Sequence, residues 1–269
     1  MEDSCTRHKN NRDDAFSMRG IMSFKGDSEK QALLRDQSIK KRKKNGKDRY
    51  VSEILSILKP QMKLLDIGCG TAHIIQELAT IYRSSHFVGL DVSPAMLRIA
   101  DINITSLHNA KLVEGDGFNL PFPECTFDIV ITRLADYSTK EAYRVLRRKG
   151  YFLECGLGPE ADKEIKEFFP KRIEKENFFF PTNLTEWKQE VCEHIIEADF
   201  VVSSIRDYKE EEYHENEEDL MDLIEMVPLV INFDRRKDRK KIRELAEKYG
   251  SKKGIKTTWH YYILMARAS

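Results

Sequence analysis

The stretch from Lys63 to Leu78 limits the possible folds of this chain more than any other. Lys63-Leu64-Leu65-Asp66-Ile67 is a short apolar run, Gly68-Cys69-Gly70-Thr71-Ala72 interrupts it, and Ile74, Ile75 and Leu78 follow at helical spacing. An apolar run broken by two glycines and resumed with a period of 3.6 reads as a strand, a tight turn and a helix. The pattern recurs. Phe87 to Asp91 is a second strand ending in an acid, and Ser93-Pro94 opens a helix carrying Met96, Leu97 and Ala100. Lys111 to Asp116 is a third strand, Phe127 to Thr132 a fourth, and Tyr151 to Cys155 a fifth behind a short helix at 141 to 147. Strands alternating with helices at this spacing predict an α/β, doubly wound fold, a mostly parallel sheet covered on both faces.

The flanks are organised differently. Residues 1 to 26 are polar and without sustained period, and Asp27 to Lys44 is a helix ending in Lys40-Lys41-Arg42-Lys43-Lys44, cations that suit the negative end of its dipole. A helix from Arg49 to Leu58 stops before Pro60. Residues 1–48 thus read as an N-terminal arm and helix, and 49–269 as the main domain. Within it, about 160–250 reads as a helical, acidic insertion suited to a substrate lid. Its expected parts are a helix from Glu160 to Phe169, the aromatic loop Phe178-Phe179-Phe180, a helix with Trp187 and Val191 on one face, and a strand from Val201 to Tyr208. An acidic stretch from Glu210 to Glu225 holding a helix and a basic helix from Arg235 follow. Thr257 to Arg267 closes the sheet as an antiparallel strand.

Charge and cysteine content narrow the partners. Lys plus Arg and Asp plus Glu each number 45, so no net field draws the protein onto nucleic acid or membrane. Nine acids between Glu210 and Glu225 lower the expectation of an RNA partner further. The five cysteines are scattered, odd in number and form no C-x-x-C pair, so neither a zinc site nor a redox dithiol is expected and a reduced, cytoplasmic setting fits. No run approaches the ~20 apolar residues that cross a bilayer.

Three acids are placed for ligand chemistry. Gly68 and Gly70 allow backbone to approach a ligand closely. Asp66, two residues earlier, would repel a pyrophosphate and attract a ligand that carries positive groups and no phosphate. Asp91 follows Gly70 by 21 residues, the distance at which such folds place an acid on ribose hydroxyls. Asp116, expected at the end of the third strand, and the N–H of Gly117 suit an adenine edge. Ends of successive strands converge on one crevice.

Read in order, Leu64-Leu65-Asp66-Ile67-Gly68-Cys69-Gly70-Thr71-Ala72, Gly89-Leu90-Asp91-Val92-Ser93-Pro94-Ala95-Met96-Leu97, Glu114-Gly115-Asp116, Leu120-Pro121-Phe122-Pro123 and Tyr143-Arg144-Val145-Leu146 resemble the motifs of class I S-adenosylmethionine (SAM) dependent methyltransferases. The branch they resemble most includes the ubiquinone and menaquinone methyltransferases, and the resemblance covers about residues 50 to 157. It implies a seven-stranded, Rossmann-like methyltransferase fold with extra helices as a lid, using SAM and releasing S-adenosylhomocysteine. It also implies Asp66 and the Gly68, Cys69, Gly70, Ala72 turn at the methionine moiety, Asp91 and Val92 at the ribose, Met96 near the ribose or adenine edge, and Asp116 with Gly117 at the adenine. Arg133 joins this set, as a residue that orients an anionic group or forms a structural ion pair. Two departures stand out. Leu146-Arg147-Arg148-Lys149-Gly150 replaces the family's Leu-Lys-Pro-Gly-Gly, and Arg133-Leu134-Ala135-Asp136-Tyr137, which faces the transferred methyl group in the family, is shorter than usual.

Methyl transfer from a sulfonium needs alignment more than elaborate catalysis. If the acceptor must lose a proton, the candidate bases are His73 beside the glycine turn, Asp136, Tyr137 and His260, with His73 also read as a helix-start residue. The expected function is methylation of a small-molecule acceptor. The alternatives are a tRNA or rRNA methyltransferase using Lys40–Lys44 and Arg235–Arg243 on phosphates, or a non-catalytic SAM-binding regulatory protein. A nicotinamide-dependent oxidoreductase is disfavoured by Asp66.

Overall fold

The computed structural model describes residues 28–43, 48–173, 183–227 and 229–269, so Phe178-Phe179-Phe180, the expected arm at 1–26 and Lys44 lie outside the described residues. The chain opens with α1 (Glu29–Lys43) and α2 (Arg49–Ile57). The alternating core follows: β1 (Lys63–Ile67), α3 (His73–Ile81), β2 (His86–Asp91), α4 (Pro94–Ile104), β3 (Ala110–Glu114), β4 (Phe127–Arg133), α5 (Thr139–Val145) and β5 (Leu146–Leu157). Then come α6 (Lys163–Phe168), α7 (Leu184–Ile196), β6 (Phe200–His214), α8 (Glu217–Met226), α9 (Arg239–Tyr249), β7 (Gly250–Ser251) and β8 (Gly254–Ala268).

The sheet runs β3-β2-β1-β4-β5-β8-β6, and the two-residue β7 pairs with β8. The expected seven strands form this path, and β7 makes eight. The first five strands are parallel to one another, and β8 runs antiparallel between β5 and β6. The chain moves outward from β1 to β3 and then returns to the other side of β1 as β4, so the order reverses between β1 and β4. A crevice opens at such a reversal, outside the carboxyl ends of the strands.

Successive strand residues feed two apolar layers. Leu64, Ile129, Ile131 and Leu153 pack with Ile54 of α2 and Leu78 of α3, while Leu65, Val130 and Phe152 pack with Val145 of α5 and Trp187 of α7. A third cluster joins Leu157 to Ile165, Leu220, Ile224 and Ile242 of the C-terminal helices. Trp187, expected at the lid, is instead 2% exposed beneath the sheet, with its ring centroid 5.4 Å from that of Tyr262.

Other boundaries shift for physical reasons. β3 stops at Glu114, and Asp116 lies in the turn beyond it, bridged to Asn119. β6, expected to end at Tyr208, continues to His214 because its main chain pairs with β8 from Phe200↔Ala268 to His214↔Ile255, so the start of the acidic stretch belongs to the strand. The helix expected from Glu160 begins only at Lys163.

Tyr50 ties α2 to the sheet. Its buried hydroxyl lies 2.8 Å from the Thr132 carbonyl and 3.0 Å from that of Leu153, and it accepts from the Thr132 N–H at 3.2 Å. Tyr50→Phe strands these groups and is expected to cost about 1–3 kcal/mol, measured as a lower midpoint in urea at unchanged slope.

Candidate active site

The turn after β1 is held by main chain. The N–H groups of Gly68 and Cys69 both donate to the Leu90 carbonyl, at 2.8 and 3.0 Å, anchoring the turn to β2. Gly68 (φ 71°), Gly70 (φ 53°) and Ala72 (φ 59°) occupy the left-handed region. The two glycines serve different ends. A Cβ on Gly68 would fall 2.1 Å from the Ala135 Cβ, so this glycine lets the turn pack on the segment after β4. A Cβ on Gly70 would meet nothing within 4 Å, so Gly70 faces open space.

That space is a cavity of about 1410 Å³ at the reversal point, and Asp66, Asp91 and Asp116 all line it. Asp66 is 2% exposed, and its carboxylate has no hydrogen bond among the described residues. Burial, reinforced by the nearby Asp91, pushes its pKa up to about 8. An acid so placed gains most from a cation beside it. Asp91 accepts from the N–H groups of Gly70 (2.7 Å) and Ser93 (2.9 Å), which fixes its carboxylate and leaves lone pairs for hydroxyl donors. Burial raises its pKa too. Asp116 accepts from the Phe118 N–H at 2.9 Å, and Gly117 packs so tightly that a Cβ there would lie 2.6 Å from the Asp136 carbonyl oxygen.

Cys69, Val92 and Met96 also line the cavity, whereas Ala72 is fully buried behind the turn. The Cys69 thiol is pushed well up by burial and by Asp66, and so stays protonated. Met96 is seated by the Ser93 cap, whose Oγ accepts from the Met96 N–H at 3.3 Å. Arg133 reaches the cavity but is committed to Asp48 at 2.5 Å, with its guanidinium 5.9 Å from the Tyr50 ring centroid. The structural ion pair is therefore the geometry observed.

Of the candidate bases, His73 and Asp136 line the cavity. Burial pushes the Asp136 carboxyl up to about 6. Two candidates require correction. Tyr137 is 5% exposed and packs on Phe152 at 5.6 Å, on the far layer of the sheet. His260 is fully buried and accepts from the Glu160 N–H at Nδ1 (3.0 Å), with Nε2 3.4 Å from Asp207. His260 and Tyr262 share one face of β8, and the cavity meets the other face through Trp259 and Tyr261. His73 does start α3, and its Nε2 meets Asp36 Oδ1 at 2.8 Å. Sequence reasoning missed Arg35, Trp259, Tyr261 and Glu210 on the cavity wall. The alternation of β8 puts Trp259 and Tyr261 together, but only the fold shows which face is inward.

The donor set fits a nucleoside with positive groups and no phosphate. Among the described residues Asp66 lacks a hydrogen-bond partner, Gly70 is open, and the buried Thr71 Oγ1 on the same wall has no hydrogen bond.

Comparisons agree. Residues 58–220 match the family model described as a methyltransferase domain. A demethylmenaquinone methyltransferase of Geobacillus sp. (strain WCH70) is 39% identical over 98 residues, 33% of this chain and 42% of that protein. Malonyl-[acyl-carrier protein] O-methyltransferase 1 of Coxiella burnetii is 29% identical over 129 residues, 45% of this chain and 43% of that protein. The chain thus matches less than half the length of either curated relative. In fold it resembles the crystal structure of a Bacillus halodurans C-125 protein assigned as a methyltransferase. The TM-score is 0.58 at 18% identity, over 81% of this chain and 97% of that one. The chain belongs to the class I SAM-dependent methyltransferase family.

Proposed function

We propose that this protein transfers a methyl group from SAM to a small-molecule acceptor by in-line displacement. The observation that carries the reading is Asp66, a buried carboxylate without a hydrogen-bond partner among the described residues, facing the cavity that Asp91 and Asp116 also line. Asp66 with the Gly68–Ala72 turn would hold the methionine moiety, Asp91 the ribose hydroxyls, and Asp116 with Gly117 the adenine. When bound, SAM supplies a methyl carbon on a positively charged sulfur. An acceptor aligned by the cavity walls would take that carbon with its lone pair as the carbon–sulfur electrons return to sulfur, giving S-adenosylhomocysteine. Asp136 takes the proton that the acceptor loses. The cavity walls contribute by alignment and by excluding water.

Among the described residues, cations from both basic segments considered for phosphate contact are engaged elsewhere. Lys41 pairs with Glu215 and Asp219 at 2.9 Å, and Arg235 with Glu218 and Glu225 at 2.9 and 2.8 Å and also with Asp222. The acidic and basic runs thus neutralise one another, which supports a small acceptor over RNA. Among the described residues no helix is long and apolar enough to cross a membrane.

Labelled SAM incubated with cell extract should deliver label to the small-molecule fraction with or without ribonuclease. Label lost on ribonuclease treatment would establish an RNA acceptor, and no label in any fraction would establish binding without transfer. With an acceptor in hand, Asp136→Asn should lower kcat about 100-fold. A base works deprotonated, so wild-type kcat/KM should rise with pH through about 6 and level off above it. The variant should lack that limb.

A further inference from the structure

The methyl donor accounts for one end of the cavity. The other end is walled by α8 and by the antiparallel pair β6 and β8. β5 pairs with β8 only as far as Leu157↔Tyr261, at the carboxyl end of the parallel strands, so residues 209–214 and 255–260 run on past β5 as a two-stranded wall. Tyr208↔Tyr261 and Glu210↔Trp259 are opposed across it and share a face. The Tyr261 ring stacks on Tyr208 with centroids 5.4 Å apart and lies 5.7 Å from Trp259. Trp259 and Tyr261 line the cavity, and Leu34, Leu223 and Met226 add apolar surface to it.

Charge around the cavity is mostly negative. Twelve carboxylate side chains line the cavity against four from Lys and Arg. All four cations are engaged. Arg133 pairs with Asp48, Arg49 with Glu210 at 2.9 Å, and Lys41 with Glu215 and Asp219, while Arg35 donates to the Met226 carbonyl at 3.2 Å. An anionic acceptor would meet no uncommitted cation among the described lining residues. Asp136 has no ion pair among the described residues. Its carboxyl is raised by burial alone, the state a bound cation relieves. Aromatic faces beside carboxylates attract ammonium groups over neutral or anionic ones.

We propose that the acceptor is an amphiphilic amine, held as its ammonium in the carboxylate-lined cavity that Asp136 and Trp259 share, with its apolar part against Leu34, Leu223 and Met226. This rests on the methyl-donor reading, since the acceptor shares the donor's cavity. Recognition of the ammonium does not require nitrogen to be the atom methylated.

The test is calorimetry of the full chain saturated with S-adenosylhomocysteine, titrated at pH 7.5 with 4-phenylbutylamine and with 4-phenylbutyrate, probes of similar size and opposite charge. The amine should bind at least about tenfold more tightly than the carboxylate. Trp259→Leu should weaken amine binding about fivefold while S-adenosylhomocysteine affinity holds, which also reports that the variant is folded. Equal affinities, or preference for the carboxylate, with S-adenosylhomocysteine bound would overturn the amine proposal and leave the donor reading standing. Failure of S-adenosylhomocysteine to bind the wild-type protein would overturn both.

Discussion

Asp66→Asn is expected to abolish useful SAM binding and to make the unliganded protein more stable. The two effects share one cause. Asp66 is buried with no hydrogen-bond partner among the described residues, and Asp91 lies close by, so its pKa stands at about 8. An unfolded chain ionises such a group near pH 4. Between about 4 and 8 the folded protein must therefore keep a proton that the unfolded chain releases, or bury a charge. Stability from this residue falls as pH rises across that window and is level above it. Asparagine carries no such penalty. The variant's advantage should be near zero at pH 4 and reach on the order of 2–4 kcal/mol at pH 8, a rise in melting temperature of about 5–10 °C for a domain of this size. Thermal melts of both proteins across pH 4 to 8 measure it. The ligand sees the opposite change. A carboxylate facing an ammonium or sulfonium in a buried site is lost, costing about 3 kcal/mol, or roughly 100-fold in affinity. A variant that lost both stability and binding would contradict the placement of Asp66.

Gly68→Ala should be the most damaging single methyl group that can be added to the turn. The residue sits at φ 71°, where a side chain costs about 1 kcal/mol. The new Cβ would also lie 2.1 Å from the Ala135 Cβ, so either the turn or the segment after β4 must move. Such overpacking costs about 1–3 kcal/mol, and displacement of the turn weakens the bonds from Gly68 and Cys69 to Leu90. We expect a total near 3 kcal/mol and loss of SAM binding. Combining it with Ala135→Gly removes the overlap and leaves the backbone strain. The double variant should therefore recover about 1–2 kcal/mol relative to the sum of the single changes, read from urea midpoints. Strict additivity would show that the turn does not bear on Ala135.

What the sequence revealed, and what it hid, follows from the range of the interactions. Asp66, Asp91 and the glycine turn were legible because strand, acid and glycine are consecutive, and main-chain geometry fixes where such residues go. Asp116 was legible as a crevice residue but misplaced by two positions, since β3 ends at Glu114. Glu210 to His214 read as an acidic, solvated stretch because glutamates disfavour strands. Their main-chain pairing with β8 overrides that preference, and this pairing depends on residues more than 40 positions away. His260 was hidden for a related reason. Alternation along a strand tells which side chains share a face, and the packing of α7 decides which face is covered. Trp187 from that helix lies 5.7 Å from His260 and closes it off.

The central claim is that a carboxylate-lined, phosphate-free cleft selects a positively charged sulfur donor. Its most direct test is calorimetric titration of the unliganded protein with SAM and with NAD under identical conditions. The account predicts one SAM bound per chain and no measurable heat from NAD. Preferential binding of NAD, or binding of both with equal affinity, would contradict it.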